Sequence, residues 1–166
     1  MTSGINTREM IMEILLQIDE EGEHSHIAIR NALSKYQFLP KQDRAFITRV
    51  CEGTLEYRIQ IDYIINSFSK VTVDKIKPAI REILRSAVYQ LKYMDSVPDS
   101  AVCNEAVKLA QRKGFYNLKP FVNGVLRTIA REMDQVRFPQ KEDDLLKYLS
   151  VKYSMPEVLV TRWLEA

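Results

Sequence analysis

The sequence has few of the residues that interrupt or cross-link a chain: five glycines, six prolines and two cysteines among 166 residues. The cysteines, Cys51 and Cys103, make no disulfide framework and lie on apolar helical stretches, which is typical of buried, unreactive thiols. The glycines are too scattered to form a GxGxxG or Walker-type phosphate loop. The sequence therefore shows no binding motif for a dinucleotide, a nucleotide or S-adenosylmethionine, and we expect no cofactor in this chain.

Metal-binding and catalytic patterns are also missing. The only histidines, His24 and His26, stand beside Glu23, but nothing supplies the remaining ligands of a metal site at a recognisable spacing. We interpret both histidines as surface residues near the start of a helix. We therefore predict no metal ligands, no catalytic residues and no enzymatic activity in this chain alone.

Long apolar runs are absent, and so is a strong charge of one sign. No apolar stretch approaches the length of a membrane span, and MTSGINTREM lacks the basic-then-apolar layout of a signal peptide. With 46% hydrophobic and 28% charged residues and a formal net charge of +2, the composition argues against disorder and against a globally basic surface. We expect a reduced, cytoplasmic protein with no membrane partner, in which any nucleic-acid surface is local.

Apolar residues recur at three- and four-residue steps through most of the chain, which predicts helices, whereas strand-like alternation is nearly absent. Capping residues and prolines mark the helix ends. The expected helices run from Thr7 to Glu21, from Ser25, from Pro40 through Gly53 to Phe68, from Pro78 to Met94, from Pro98 to Gly114, after Asn117, from Glu142 to Ser150, and after Ser154, which has capping-box spacing to Glu157. Together they predict an all-α bundle of seven or eight helices.

Charge is uneven along these helices. Residues 9–23 contain six acids and no base, whereas residues 70–92 contain six bases and two acids, and residues 105–137 contain seven bases and three acids. Many of the bases fall on helical rows of the kind that phosphate contacts require. These rows contain Lys77, Arg81, Arg85 and Lys92; Lys108, Arg112 and Lys113; and Asn123, Arg127 and Arg131. Solvated outer helix faces have the same pattern, so both interpretations stay open.

Gly124 is unexpected because it lies within FVNGVLR, on the polar side of a predicted helix. A glycine there costs about 1 kcal/mol relative to alanine. It indicates that something approaches the backbone closely. A neighbouring helix, a nucleic-acid backbone or a partner protein would each explain it.

Four ordered segments between residues 6 and 134 resemble one known family. These are DRAFITRVCEGTLEYR, EILRSAVYQLKY, NEAVKLAQRKG and FVNGVLR. They are similar to the NusB family of helical RNA-binding domains, and most similar to the version at the N-terminus of bacterial 16S ribosomal RNA cytosine-5 methyltransferases, the Sun or Fmu family. The tail, SVKYSMPEVLVTRWLEA, resembles the segment that joins this domain to the catalytic domain.

The resemblance implies two small helical subdomains, with residues 1–137 as the RNA-binding domain and residues 138–166 as a helical linker to an absent methyltransferase domain. The partners would be ribosomal RNA and that domain, and the parent enzyme would use S-adenosylmethionine to methylate C5 of a cytosine. In antitermination NusB an arginine-rich first helix binds RNA; only Arg8 of that face is kept here. A free-standing antitermination factor that binds leader RNA, and a module that only docks a catalytic domain, are the alternatives.

Particular residues follow from this interpretation. The candidate RNA-binding residues are Lys108, Arg112, Lys113, Lys119, Arg127 and Arg131, with Lys77 and Arg81 as extensions. The residues expected to serve the fold are Asp43, Arg44, Arg85, Asn104, Glu105 and Asn123, and we predict a hydrogen bond between Arg85 and Glu105. Trp163 shares a helix face with Leu159, and we expect the methyltransferase domain to pack on this final helix. In the 166-residue chain alone, Trp163 should be partly exposed, or covered by a neighbouring molecule or a second copy.

Overall fold

The computed structural model describes residues 6–22 and 25–166, which form nine α-helices and no strand. The helices are α1 (Thr7–Glu21), α2 (Ser25–Ser34), α3 (Lys41–Glu56), α4 (Arg58–Phe68), α5 (Pro78–Tyr93), α6 (Asp99–Arg112), α7 (Lys119–Glu132), α8 (Leu145–Tyr153) and α9 (Glu157–Glu165). Short 3-10 turns precede α5 and α7 and follow α7. The predicted all-α fold is confirmed.

The ends of α1 show how local sequence sets the helix bounds. The Asn6 side chain accepts a hydrogen bond from the backbone N–H of Glu9 at 3.0 Å, which caps the N-terminus. Gly22 has a φ of 64° and ends the helix in the left-handed conformation that favours glycine. Both ends lie where the sequence predicts them.

The predicted helix from Pro40 to Phe68 is instead two helices, which explains why there is one more than expected. The chain breaks at Tyr57, between α3 and α4. Ser154, from the far end of the chain, accepts hydrogen bonds from the backbone N–H groups of Ile59 and Gln60 at 3.0 and 3.4 Å. Its hydroxyl therefore caps α4 rather than starting α9, which begins after Pro156.

α5 lies at the centre of the bundle and packs against α1, α3, α4, α6 and α7. All residues from Glu82 to Gln90 are buried. The apolar side chains of α1 to α7 form one contiguous core, so the two expected subdomains share it. Gly53 allows α3 to approach α5, because a Cβ at that position would lie 2.1 Å from Tyr89 Cζ.

The tail packs on α4 through α8. Gln60 donates from its side-chain amide to the carbonyl groups of Val151 and Lys152 at 3.5 and 3.4 Å, and it accepts a hydrogen bond from the Tyr93 hydroxyl. Val151 and Val160 are buried but lie outside the main core. Polar contacts with α4 thus contribute to holding the tail on the bundle.

Candidate nucleic-acid interface

The outward faces of α6 and α7 carry most of the candidate cations. These helices pack side by side, and Arg127 joins them across the surface. Its guanidinium donates to Asn123 Oδ1 at 3.1 Å and to Asn104 Oδ1 at 2.7 Å. These contacts orient Arg127 in a rigid position at an exposed polar surface, and both asparagines keep their amide N–H groups for other acceptors.

Lys108 and Arg131 extend this surface to either side, with side chains that are 74% and 67% exposed. Lys108 lies 3.7 Å from Glu105, and Arg131 lies 3.1 Å from Glu132. Exposed pairs of this kind contribute only about 0–1 kcal/mol, so an incoming phosphate competes with them easily. We call Lys108, Asn123, Gly124, Arg127 and Arg131 the α6–α7 surface.

Gly124 lies in the middle of the α6–α7 surface and is exposed. A Cβ built on it would meet no atom within 4 Å. The neighbouring helix that could have explained this glycine is therefore absent from the described residues, and the close intramolecular approach occurs at Gly53 instead. An external partner at Gly124 stays a prediction.

The C-terminal end of α6 faces the acidic first helix. Lys113 donates to Glu9 and Glu13, both at 3.2 Å, and these hydrogen bonds raise the pKa of its ammonium group. Arg112 lies 3.6 Å from Glu9 and is half-exposed. These two candidate cations therefore neutralise acids of α1, and Lys113 is the more fully engaged.

Lys119 lies at the start of α7, where its ammonium group donates to Gln111 Oε1 at 2.8 Å. The same group lies 4.6 Å from the ring centroid of Tyr116, which is exposed. A cation over an exposed aromatic ring is compatible with nucleic-acid contact. Lys77 immediately precedes α5 and is exposed. It is far in sequence from the residues of the α6–α7 surface.

Arg81, one of the candidate RNA-binding residues, bonds within the fold. Its guanidinium donates to the carbonyl groups of Val73, Asp74 and Ile76 at 2.9, 3.1 and 2.9 Å, and its side chain is only 17% exposed. It thereby fixes the 3-10 turn that leads into α5. Its donors already have acceptors within the fold, and its predicted RNA contact stays a prediction.

The predicted bond between Arg85 and Glu105 is wrong. Arg85, 8% exposed, donates to both carboxylate oxygens of Asp62 at 2.8 Å and to Glu82 at 2.9 Å. Asp19 lies 3.7 Å away. Burial raises the pKa of Glu82 to about 7, although the nearby Arg85 opposes that shift.

The remaining polar residues lie apart from this buried network. Glu105 is half-buried beside Lys108. Asp43 is half-buried in the first turn of α3, and Arg44 next to it has a buried Nε that finds no acceptor among the described residues. Arg8 donates to Gln90 Oε1 at 3.2 Å, and its guanidinium lies 5.3 Å from the ring centroid of Phe46. Burial lowers the pKa of Arg8, with Glu105 opposing the shift.

Among the described residues, the two cysteines are buried and the one histidine is exposed. Cys51 and Cys103 are buried, as predicted, and burial raises the pKa of both thiols. His26 lies on the surface, 3.9 Å from Glu52, while Glu23 and His24 lie outside the described residues. Residues 6–22 and 25–166 contain no group of three potential metal ligands. None of their helices is long and apolar enough to cross a membrane.

A second polar feature, which the sequence analysis missed, lies where the tail meets α4 and α5. Lys92 and Lys152 line a cleft there with Phe138 and Tyr148. The sequence does contain one signal of this feature, the dipeptide Lys-Tyr. It occurs four times in the chain, at residues 35–36, 92–93, 147–148 and 152–153. Only the folded chain brings the last three together.

Comparisons with known proteins agree with the helical architecture. Residues 5–131 match the NusB family. The transcription antitermination protein NusB of Bacillus velezensis (strain DSM 23117 / BGSC 10A6 / LMG 26770 / FZB42) is 34% identical over 128 residues, which are 76% of this chain and 95% of that protein. A chain in the crystal structure of antitermination factors NusB and NusE in complex with dsRNA has the same fold, with a TM-score of 0.69 and 22% identity, covering 75% of this chain and 93% of that chain.

A longer match includes most of the tail. The probable ribosomal RNA small subunit methyltransferase B of Bacillus subtilis (strain 168) is 32% identical over 161 residues, which are 97% of this chain and 35% of that protein. The chain thus spans about a third of the length of the curated methyltransferases that it matches. Since the family match covers most of the chain and is supported by these relatives, the chain belongs to the NusB family.

Proposed function

We propose that this chain binds ribosomal RNA through the α6–α7 surface and positions it for a cytosine-C5 methyltransferase domain outside residues 1–166. The observation that carries the proposal is the placement of Lys108, Arg127 and Arg131 on one outward face around the open backbone of Gly124. Long cations on a rigid helical surface can each neutralise a phosphate. Missing side-chain bulk at Gly124 leaves room for a sugar-phosphate backbone.

The fixed position of Arg127 supports RNA contact rather than the alternative interpretation, in which the basic rows are only solvated helix faces. Its two hydrogen bonds to Asn104 and Asn123 cost side-chain entropy that an ordinary surface arginine does not lose. An arginine held in place in advance binds a phosphate without further ordering. Because the asparagine side chains lie beside it, their amide N–H groups can donate to the same ligand.

The tail favours the methyltransferase interpretation over the free-standing antitermination factor. The match to methyltransferase B covers 97% of this chain, whereas the match to NusB covers 76%. The acidic α1 also argues against RNA binding by the first helix, since its Glu9 and Glu13 pair with Lys113. Arg8 is directed towards Gln90 and Phe46.

The methyl donor would bind elsewhere. The described residues form helices without the strand and glycine-rich loop that hold nucleotide-like cofactors, so they do not fit S-adenosylmethionine. The catalytic domain would be the second partner, and α9 offers a face for it. Trp163 is 68% exposed, as expected, and Leu159 is also exposed on the same helix. With ribosomal RNA as ligand, we place the protein in the bacterial cytoplasm.

Charge reversal tests the proposal. The double variant Arg127→Glu/Arg131→Glu should bind small-subunit ribosomal RNA more weakly, and the slope of log affinity against log salt should fall by about 1 for each lost phosphate contact. The control is Lys35→Glu/Lys41→Glu, which makes the same change in net charge at exposed positions of the α2–α3 region. If both variants lose affinity equally, or if neither does, the α6–α7 surface is not the RNA site.

A catalytic-domain docking module is the remaining alternative. It predicts that the 166-residue chain binds no ribosomal RNA at any salt concentration but binds the separate methyltransferase domain. Loss of that second interaction on Trp163→Ser, with RNA affinity unchanged, would show that α9 and the α6–α7 surface have separate partners.

A further inference from the structure

Three lysines and four aromatic rings meet where α8 packs on the bundle. Lys92 Nζ lies 5.9 Å from the ring centroid of Phe138, and Lys152 Nζ lies 5.2 Å from that of Tyr148. The ring of Tyr63 stacks on Phe138 with centroids 5.6 Å apart and planes at 21°, and Lys147 Nζ lies 6.0 Å from the Tyr63 centroid. Tyr153, 5.5 Å from Lys152 Nζ, completes the set.

Phe138 separates two clefts of different charge. The first, of about 260 Å³, is lined by Lys92, Phe138, Tyr148 and Lys152, with Gln60, Pro139 and Val151, and contains no acid. We call it the tail cleft. The second is lined by Tyr63, by three acids, Asp134, Asp143 and Asp144, and by two bases, Arg137 and Lys147. An anionic ligand would therefore favour the tail cleft over its neighbour.

The wall of the tail cleft is fixed before any ligand arrives. Gln60 is held by its bonds to the carbonyl groups of Val151 and Lys152 and by the Tyr93 hydroxyl. Lys152 donates to Tyr148 Oη at 2.8 Å. A preformed cleft binds its ligand at a lower entropy cost than one that must be assembled.

We infer that the tail cleft binds one unpaired nucleotide of RNA, with the base against Tyr148 and Phe138 and the adjoining phosphates on Lys92 and Lys152. The cleft is slightly smaller than the roughly 300–1,000 Å³ of pockets for drug-sized molecules, which suits a single flat ring system. An unpaired nucleotide offers a π-face and an anion together, which matches an aromatic ring beside a cation. Lys152 lies at the Tyr148 hydroxyl and Lys92 lies near the Phe138 ring, so both ammonium groups already stand beside the rings against which the base would stack.

The inference rests on the proposed function only in taking RNA as the ligand, because the tail cleft and the α6–α7 surface are separate. The two sites would bind different parts of the RNA. Helical RNA would lie on the α6–α7 surface, and a single-stranded segment would enter the tail cleft.

The test uses the 166-residue chain and a short single-stranded oligoribonucleotide that carries one 2-aminopurine. Stacking should quench the 2-aminopurine fluorescence on binding. Tyr148→Leu should abolish most of the quenching and weaken binding roughly 5- to 150-fold, the range for one base–aromatic stack. Lys152→Glu should weaken binding and lower the salt slope by about 1.

Lys147→Glu is the matched control because it makes the same charge change on the same helix but lines the acidic cleft. It should affect binding much less than Lys152→Glu. The Lys152 side chain is exposed and donates to the Tyr148 hydroxyl, and its backbone contact with Gln60 does not depend on the side chain, so Lys152→Glu should fold even if Tyr148→Leu does not, which thermal unfolding would verify.

The inference is overturned if Lys152→Glu binds the oligonucleotide like the wild type, if Lys147→Glu weakens binding as much, or if quenching persists in folded Tyr148→Leu. Loss of catalytic-domain docking in Lys152→Glu, with oligonucleotide binding intact, would assign the cleft to a protein partner instead. The α6–α7 surface is judged separately, by Arg127→Glu/Arg131→Glu and structured ribosomal RNA, so each idea can fail alone.

Discussion

Glu82→Gln should stabilise the protein at pH 8 and have a much smaller effect at pH 5. Glu82 is 3% exposed, and its carboxylate accepts a hydrogen bond from Arg85 at 2.9 Å. Burial raises its pKa from an ordinary value of 4.5 to about 7, with Arg85 acting in the opposite direction. Glutamine keeps a hydrogen-bond acceptor for Arg85 while removing the charge that burial disfavours.

The direction of the pH dependence follows from proton binding. Between pH 4.5 and about 7 the folded state keeps the proton on Glu82 while the unfolded state releases it, so the free energy of unfolding falls as pH rises. At about 1.4 kcal/mol per pKa unit, the full loss is at most about 3 kcal/mol and is complete above pH 7. In a protein of this size that corresponds to roughly 6–12 °C in melting temperature.

Thermal unfolding of wild type and Glu82→Gln at pH 5 and pH 8 measures this change in stability. The control is Glu142→Gln, at an exposed position before α8. Glu142→Gln should show no comparable gain at pH 8. If Glu82→Gln lowers the melting temperature equally at pH 5 and pH 8, the attraction between the Glu82 carboxylate and Arg85 outweighs the cost of burial, and the reasoning is refuted.

Further variants test the helix contacts. Gly53→Ala should destabilise by about 1–3 kcal/mol in denaturant unfolding, because its Cβ would meet the buried Tyr89 ring at 2.1 Å. Gly124→Ala, with nothing within 4 Å, should instead stabilise by up to about 1 kcal/mol and yet weaken ribosomal RNA binding; unchanged binding would count against a backbone approach there. Ser154→Ala should cost about 1 kcal/mol by uncapping α4, and full stability in that variant would show that the cap contributes nothing.

Much of the fold could be predicted because its signals are local. The caps of α1, the prolines before α3 and α6, and the proline that begins α5 lie within a few residues of the ends they define. The break at Tyr57 could not be predicted in this way. The amides of Ile59 and Gln60 that follow it donate to Ser154, about 95 residues later, and no local pattern indicates a cap from so far along the chain.

Side-chain partners were harder to predict than helix bounds for the same reason. The predicted row of bases does occur along α5, but its members have different hydrogen-bond partners. Arg81 binds carbonyl groups of the preceding turn, and Arg85 binds Asp62 across the interface with α4. Periodicity shows which face a residue occupies, whereas its partner depends on how the helices pack.

The acidic residues of α1 change how the basic rows are interpreted. An acidic first helix appears at first to contradict a surface that binds phosphate. Yet Glu9 and Glu13 pair with Lys113, and Asp19 lies within ion-pair distance of Arg58, Arg81 and Arg85. These pairs engage α1 with the cations nearest to it, whereas Lys108 and Arg131 of the α6–α7 surface have exposed side chains. The fold thus separates structural cations from outward ones, and we place RNA only with the second group.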